Sequence, residues 1–189
     1  MADLQAMTAL GAHEPRSMVV GSLTVTERFD VALASVARRR GRDLTAAAAS
    51  AGVPLPGPAR YQTQAPYSAF WVTPEMWFVE APFASHEAIA GLLKGAFADA
   101  ASITEQTDAW VIFDLAVPDA ATSDLAAVLE RLCNVDFRAV PDGHASRTVV
   151  DHLGCYLVKH GPDAARLYGP RSSAQSLLHA VEVAAISAL

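Results

Sequence analysis

The sequence predicts an α+β fold, a two-layer sandwich of mostly antiparallel sheet and covering helices built from two β-α-β-β-α repeats. Three observations predict it. Two apolar runs flank Thr73-Pro74-Glu75, so Ala69 to Glu80 reads as a β-hairpin; proline presets φ for the second position of a tight turn. Stripes of apolar residues at helical spacing recur between the strand-like runs. The order strand, helix, hairpin, helix then occurs twice, over residues 17–100 and 101–189, behind a flexible arm of residues 1–16. The two halves share one domain and show almost no residue identity.

The elements follow in order. Ser17 to Val25 is rich in β-branched residues and reads as one strand. Phe29, Ala32, Leu33 and Val36 stand at i, i+3, i+4 and i+7, which predicts a helix. It would end in Arg38-Arg-Arg-Gly-Arg42, where arginines favour the negative end of a helix dipole and Gly41 supplies a left-handed cap. The rival reading of that run, a nucleic-acid patch, lacks interleaved aromatics. An Ala-rich helix covers Asp43 to Ala51, and Val53-Pro-Leu-Pro-Gly-Pro58 is a stiff loop.

The hairpin is greasy on both pleat faces, with Trp71, Trp77 and Val79 on one and Phe70, Met76 and Phe78 on the other. One cover is the protein's own helices; a partner is a candidate for the second. Trp71, Trp77 and Phe78 are therefore either core or interface anchors. Ser85 is expected to cap a helix whose stripe is Ile89, Leu92, Leu93, Ala96 and Phe97. Asp108 to Leu115 alternates as a strand, Pro118-Asp119 breaks the chain, and Leu125, Val128, Leu129 and Leu132 mark a helix. A second hairpin turns at Asp151-His-Leu-Gly154, and Ala164 to Tyr168 is a short strand stopped by Gly169-Pro170. Ser172-Ser-Ala-Gln175 matches a capping box before the stripe Ala174, Leu177, Leu178, Val181, Ala184 and Ala185.

Composition narrows the function classes. With 189 residues, 52% hydrophobic and only 18% charged, the chain carries more apolar surface than one small core needs, which favours a subunit. A net charge of -6 argues against nucleic acid as the main partner. No apolar run approaches the roughly 20 residues of a membrane span. Met1-Ala-Asp-Leu-Gln5 has no basic start or apolar core of a secretory signal, so a cytoplasmic location is expected. Cys133 and Cys155 are no disulfide framework.

Catalytic signatures are scarce. There is no phosphate-binding glycine loop, nucleophile elbow or zinc-protease helix motif. His144, Asp151, His152, Cys155 and His160 form the densest polar cluster, but Asp-His-x-x-Cys falls on a turn where Asp and Gly are ordinary, so no metal site is assigned. Arg171, Ser172 and Ser173 are weak candidates for an anion site at a helix start; the alternative is a capped helix whose arginine pairs with an acid.

Five stretches carry a family resemblance: Arg28 to Ala37, Ala69 to Phe83, Ser102 to Trp110, Arg147 to Gly154 and Gly169 to Ala174. Together, in this order, they resemble the gamma subunit of heterotetrameric sarcosine oxidase, over nearly the whole chain after the arm. The resemblance implies a complex that converts sarcosine, tetrahydrofolate and oxygen to glycine, methylene-tetrahydrofolate and hydrogen peroxide. It implies alpha, beta and delta partner subunits that hold FAD, FMN, NAD, tetrahydrofolate and zinc, with no cofactor in this chain. It implies a fold similar to the folate-binding domain of aminomethyltransferases, itself a duplicated α+β unit. The expected role is a non-catalytic, assembly-supporting subunit without activity alone; the alternatives are a stand-alone folate-binding module or one-carbon transferase, or an adaptor of another pathway.

Overall fold

A computed structural model describes residues 6–118 and 124–189. The elements, in order, are β1 (Ser17–Val20), β2 (Leu23–Arg28), β3 (Val31–Arg38), α1 (Leu44–Ala51), β4 (Tyr61–Gln64), β5 (Tyr67–Thr73), β6 (Met76–Pro82), α2 (Phe83–His86), α3 (Ile89–Phe97) and β7 (Ala101–Glu105). Then come β8 (Trp110–Ala116), α4 (Leu125–Leu132), β9 (Ala145–Val150), β10 (Leu153–Gly161), β11 (Ala164–Pro170) and α5 (Ala174–Ala188). They form an α+β fold with two sheets, ordered β1-β2-β8-β11-β10-β9 and β4-β5-β6-β3-β7.

Contacts divide the chain into two compact units. One comprises residues 1–29, 109–142 and 147–189; the other comprises 30–108 and 143–146. In the second unit β3 is central, antiparallel to β6 and β7, and Ala32, Ala34, Val36, Val79, Ile89, Leu93 and Phe97 pack in one cluster under α1 and α3. In the first unit β8 is central, antiparallel to β2 and β11. Val111, Phe113, Leu115, Leu129, Leu167, Leu177 and Val181 build its core under α4 and α5.

The two sheets repeat one plan. Val31, the first residue of β3, pairs with Pro82, and Trp110, the first of β8, pairs with Pro170. Three residues on, Ala34 pairs with Glu105 and Phe113 pairs with Glu27. The strands carrying those glutamates read Ala101-Ser-Ile-Thr-Glu105 and Leu23-Thr-Val-Thr-Glu27. The copies therefore keep residue identity at these matched positions, although almost none was expected overall. Each copy's opening strand also joins the sheet centred in the other copy. That exchange moves the boundaries of the compact units to Asp30 and Ala109, away from the division near residue 100.

Several expectations are corrected. Of the stripe from Phe29 to Val36, Phe29 is exposed ahead of strand β3, and the rest lies in β3, whose residues Val31 to Val36 are all buried. A strand buried on both faces is apolar at consecutive positions, and a subset of those always matches helical spacing. Gly41 does adopt φ 73°, but in a turn after a strand. Ser17 to Val25 is a hairpin, with Gly21 at φ 57° in its turn. Strand β7 lies where no element was expected. Ser85 caps nothing; its hydroxyl lies within α2 and donates to the Pro82 carbonyl at 3.3 Å. Gly169 and Pro170 continue β11.

Within the arm of residues 1–16, Leu10 is 7% exposed and joins the first unit's core. Met1 to Gln5 lie outside the described residues, as does Asp119 of the expected Pro118-Asp119 break. Other expectations hold: Asp43 caps α1 through the Ala46 amide at 3.0 Å, Gly52 closes it at φ 66°, and both hairpins form.

Candidate functional site

The start of α5 is held by the N-terminal segment. Arg171 donates to the Met7 carbonyl at 2.9 Å and Gln175 to the Leu10 carbonyl at 3.0 Å. No side chain caps the helix, so the Ser172–Gln175 capping box is absent; Gln175 has turned to the arm instead. Ser172 is exposed, and Ser172 and Ser173 sit in a single 3-10 turn with Arg171.

The aromatic hairpin separates by face. Trp71 pairs with Trp77 across the strands and Phe70 with Phe78. Trp77 is partly buried against the second unit's core, and its indole donates to the Pro56 carbonyl at 2.7 Å, fastening the proline-rich loop. Trp71 is partly exposed. Phe78 is 4% exposed, edge-on to Phe70 with centroids 5.4 Å apart, and so presents no surface.

The Asp151–His160 stretch does not converge. Asp151 and His152 form the β9–β10 turn at φ 45° and 69°, the left-handed pair a two-residue hairpin requires. Cys155 is buried, and that burial pushes its thiol pKa up to about 11. His144 forms a backbone bridge with Arg60 within the second unit, whereas Asp151 and Cys155 belong to the first. Among the described residues no three His, Cys, Asp or Glu side chains are placed to hold a metal.

Two polar clusters escaped sequence reading. Asp114 of β8 takes Arg28 at 2.6 Å and Arg166 at 2.6 Å. Burial opposes the Asp114 carboxylate, but the hydrogen bonds and charges of Arg166 and Arg28 outweigh it and hold its pKa below the ordinary value. His160 stands beside them; lost hydration, then Arg166, lowers its pKa. These residues lie 86 and 52 positions from Asp114, so only sheet order joins them. The second cluster is Lys159 of β10, which donates to the Phe137 and Val140 carbonyls at 2.9 Å each and sits 4.7 Å over the Phe137 ring. It fastens the loop after α4.

Ser85 and His86 also meet, at 2.9 Å, but through Nδ1, the nitrogen an orienting acid would occupy in a catalytic triad. Depressions open on the surface of the described residues. One of about 410 Å³ is lined by Arg38, Arg40, Gly41, Arg42 and Glu75. One of about 260 Å³ runs along α1 to Trp77, and one of about 380 Å³ lies between Arg16 and α5. The last has Ser17, His179 and Glu182 in its lining, but among the described residues no hydrogen bond joins Ser17 to His179, whose ring lies 3.5 Å from Glu182 instead.

This doubled α+β architecture is similar in fold to two solved structures. The chain is similar to the glycine cleavage system aminomethyltransferase T from Bartonella henselae, with TM-score 0.58 and 14% identity over 82% of this chain; it spans only 44% of that one. It is also similar to a chain of the heterotetrameric sarcosine oxidase from Corynebacterium sp. U-96 in complex with pyrrole 2-carboxylate. That likeness has TM-score 0.73 and 20% identity, and covers 90% of this chain and 89% of that one. At these identities the likeness is one of fold. No protein-family model and no curated protein matches the sequence. Among the described residues no helix is long and apolar enough to cross a membrane.

Proposed function

We propose that this chain is the gamma subunit of a heterotetrameric, flavin-dependent sarcosine oxidase and serves its assembly rather than its chemistry. The observation that carries the reading is the fold match at TM-score 0.73 that covers 90% and 89% of the two chains, so the likeness is to a whole chain. The residue contacts support it. Arg171 and Gln175 are engaged with the arm, and the polar clusters at Asp114 and Lys159 fasten strands and loops. In this reading FAD, FMN, NAD, tetrahydrofolate and zinc belong to the alpha, beta and delta subunits of a cytoplasmic complex. That complex converts sarcosine, tetrahydrofolate and oxygen to glycine, methylene-tetrahydrofolate and hydrogen peroxide.

Affinity purification of the tagged chain from its native host tests this. A yellow, four-subunit complex that releases peroxide from sarcosine is expected, while the chain purified alone shows no flavin absorbance and no oxidase activity. Flavin or activity in the isolated chain overturns the assembly role, and a preparation without an oxidase overturns the whole reading. The aminomethyltransferase fold favours one rival, a folate-binding module acting alone. Calorimetric heat on adding tetrahydrofolate to the isolated chain would support that rival; its absence at high micromolar ligand retires it.

A further inference from the structure

The four arginines at and just after the end of β3 lose their explanation once β3 is a strand, because no helix C-terminus lies there for them to complement. Arg38 grips both oxygens of the Glu75 carboxylate in the β5–β6 turn, and its amide donates to the Glu75 carbonyl at 2.8 Å. Arg39 donates to the Ser102 hydroxyl at 3.1 Å, and Arg42 pairs with Asp99 at 2.8 Å. Arg40 is exposed with no polar partner among the described residues. Asp43, the remaining acid of the turn, is occupied by the Ala46 amide. Four guanidiniums thus face three carboxylates at one corner of a chain whose net charge is -6. Holding like charges on one short turn costs repulsion, which the chain's own acids offset only in part.

The corner adjoins an apolar groove. Arg38 lines both the depression of about 410 Å³ shared with Arg40 and Arg42 and the one of about 260 Å³ formed by Leu44, Ala48, Val53, Leu55 and Trp77. We propose that this joined surface docks an acidic segment of a partner protein, its carboxylates on Arg40 and Arg42 and one apolar side chain in the groove. Guanidiniums suit carboxylates through paired parallel hydrogen bonds, and a groove of this size takes one anchor side chain. Nucleic acid fits less well. The Trp77 indole is tied to Pro56 and does not stand out for base stacking, and the acidic remainder of the chain repels a long polyanion. The inference deepens the proposed function by naming a surface for a partner subunit, and it rests on that reading only for the partner's identity.

Fluorescence anisotropy with the full-length chain tests it, using labelled hexaglutamate and a peptide of equal charge with a central leucine. The leucine peptide should bind more tightly, and its affinity should fall about tenfold between about 50 and about 300 mM salt as charges are screened. Joint Arg40→Glu and Arg42→Glu substitution should weaken both peptides about tenfold or more. Ala49→Trp, which fills the groove from an exposed position, should remove the leucine advantage and leave hexaglutamate binding unchanged. Equal binding by wild type and the charge-reversed protein, or tighter binding of an oligothymidylate than of either peptide, overturns the inference. If the native-host preparation yields no oxidase while the peptide results hold, the proposed function falls and this surface stands. If the oxidase assembles and both it and the peptides ignore the charge reversal, the surface falls and the function stands.

Discussion

The Glu27 carboxylate accepts the Leu10 amide at 3.0 Å through one oxygen and the Arg16 amide at 3.1 Å through the other. Glu27 is 2% exposed, so the two amides stand in for the water that an ionised carboxylate would otherwise hold. Its counterpart Glu105 takes the Gln106 and Thr107 amides, each at 3.1 Å, in the other copy. Glu27 thus holds the arm ahead of β1, and Glu105 holds the backbone that follows its own strand.

Glu27→Ala should therefore release residues 6–16 from the sheet. A charge-assisted hydrogen bond contributes about 1.5–3 kcal/mol, and two are lost together. Faster hydrogen exchange at the Leu10 and Arg16 amides, with a lowered melting temperature, is the expected result. Unchanged exchange there would show that Leu10 packing and the Arg171 and Gln175 hydrogen bonds hold the arm without Glu27.

Gly169 admits no side chain. A Cβ built there would lie 2.3 Å from Leu177 Cδ2 of α5 and 3.5 Å from Cys155 Sγ. Gly169→Ala forces the buried Leu177 side chain of α5 to shift within a filled core, and overpacking of this kind costs about 1–3 kcal/mol. Urea denaturation should show the lower midpoint, and pairing the change with Leu177→Ala should recover part of the loss by making room.

Asp114 sets an acid dependence. Its folded pKa is lower than its unfolded one, so its stabilising contribution is complete above the ordinary aspartate value. The contribution is lost as pH falls through the lowered folded value. His160 acts in the same direction: its folded pKa is also lowered, so the unfolded chain protonates first and stability declines once pH drops through the ordinary histidine value. Asp114→Asn should cost about 1.5–3 kcal/mol at neutral pH, and the gap to wild type should narrow in acid. A gap that stays constant from neutral pH to pH 3 would contradict the Arg28–Asp114–Arg166 assignment.

The two thiols should differ. Cys155 is fully buried with its pKa pushed up to about 11, whereas Cys133 is partly exposed. The thiolate is the reactive form, so a disulfide reagent near neutral pH should label Cys133 in the folded protein and Cys155 only on unfolding. Equal labelling rates would mean that the β10–β11 region opens.

The sequence by itself determined much of this molecule through local chemistry. Thr73-Pro74-Glu75 makes a turn wherever it sits, Asp43 and Gly52 bracket an alanine-rich helix, and amphipathic stripes mark α3, α4 and α5. The doubled α+β plan follows from their order. Tertiary structure decided the rest, because burial and pairing partners are properties of position. Val31 to Val36 is a strand because it is covered on both faces, which no spacing rule distinguishes from one face of a helix. Gln175 left its capping box because the Leu10 carbonyl, 165 residues away, needed a donor. Thr-Val-Thr-Glu27 and Ser-Ile-Thr-Glu105 were legible as a repeat, but only the sheet registers reveal that each strand serves the other copy, since hydrogen bonds between strands leave no mark on the strands' own residues.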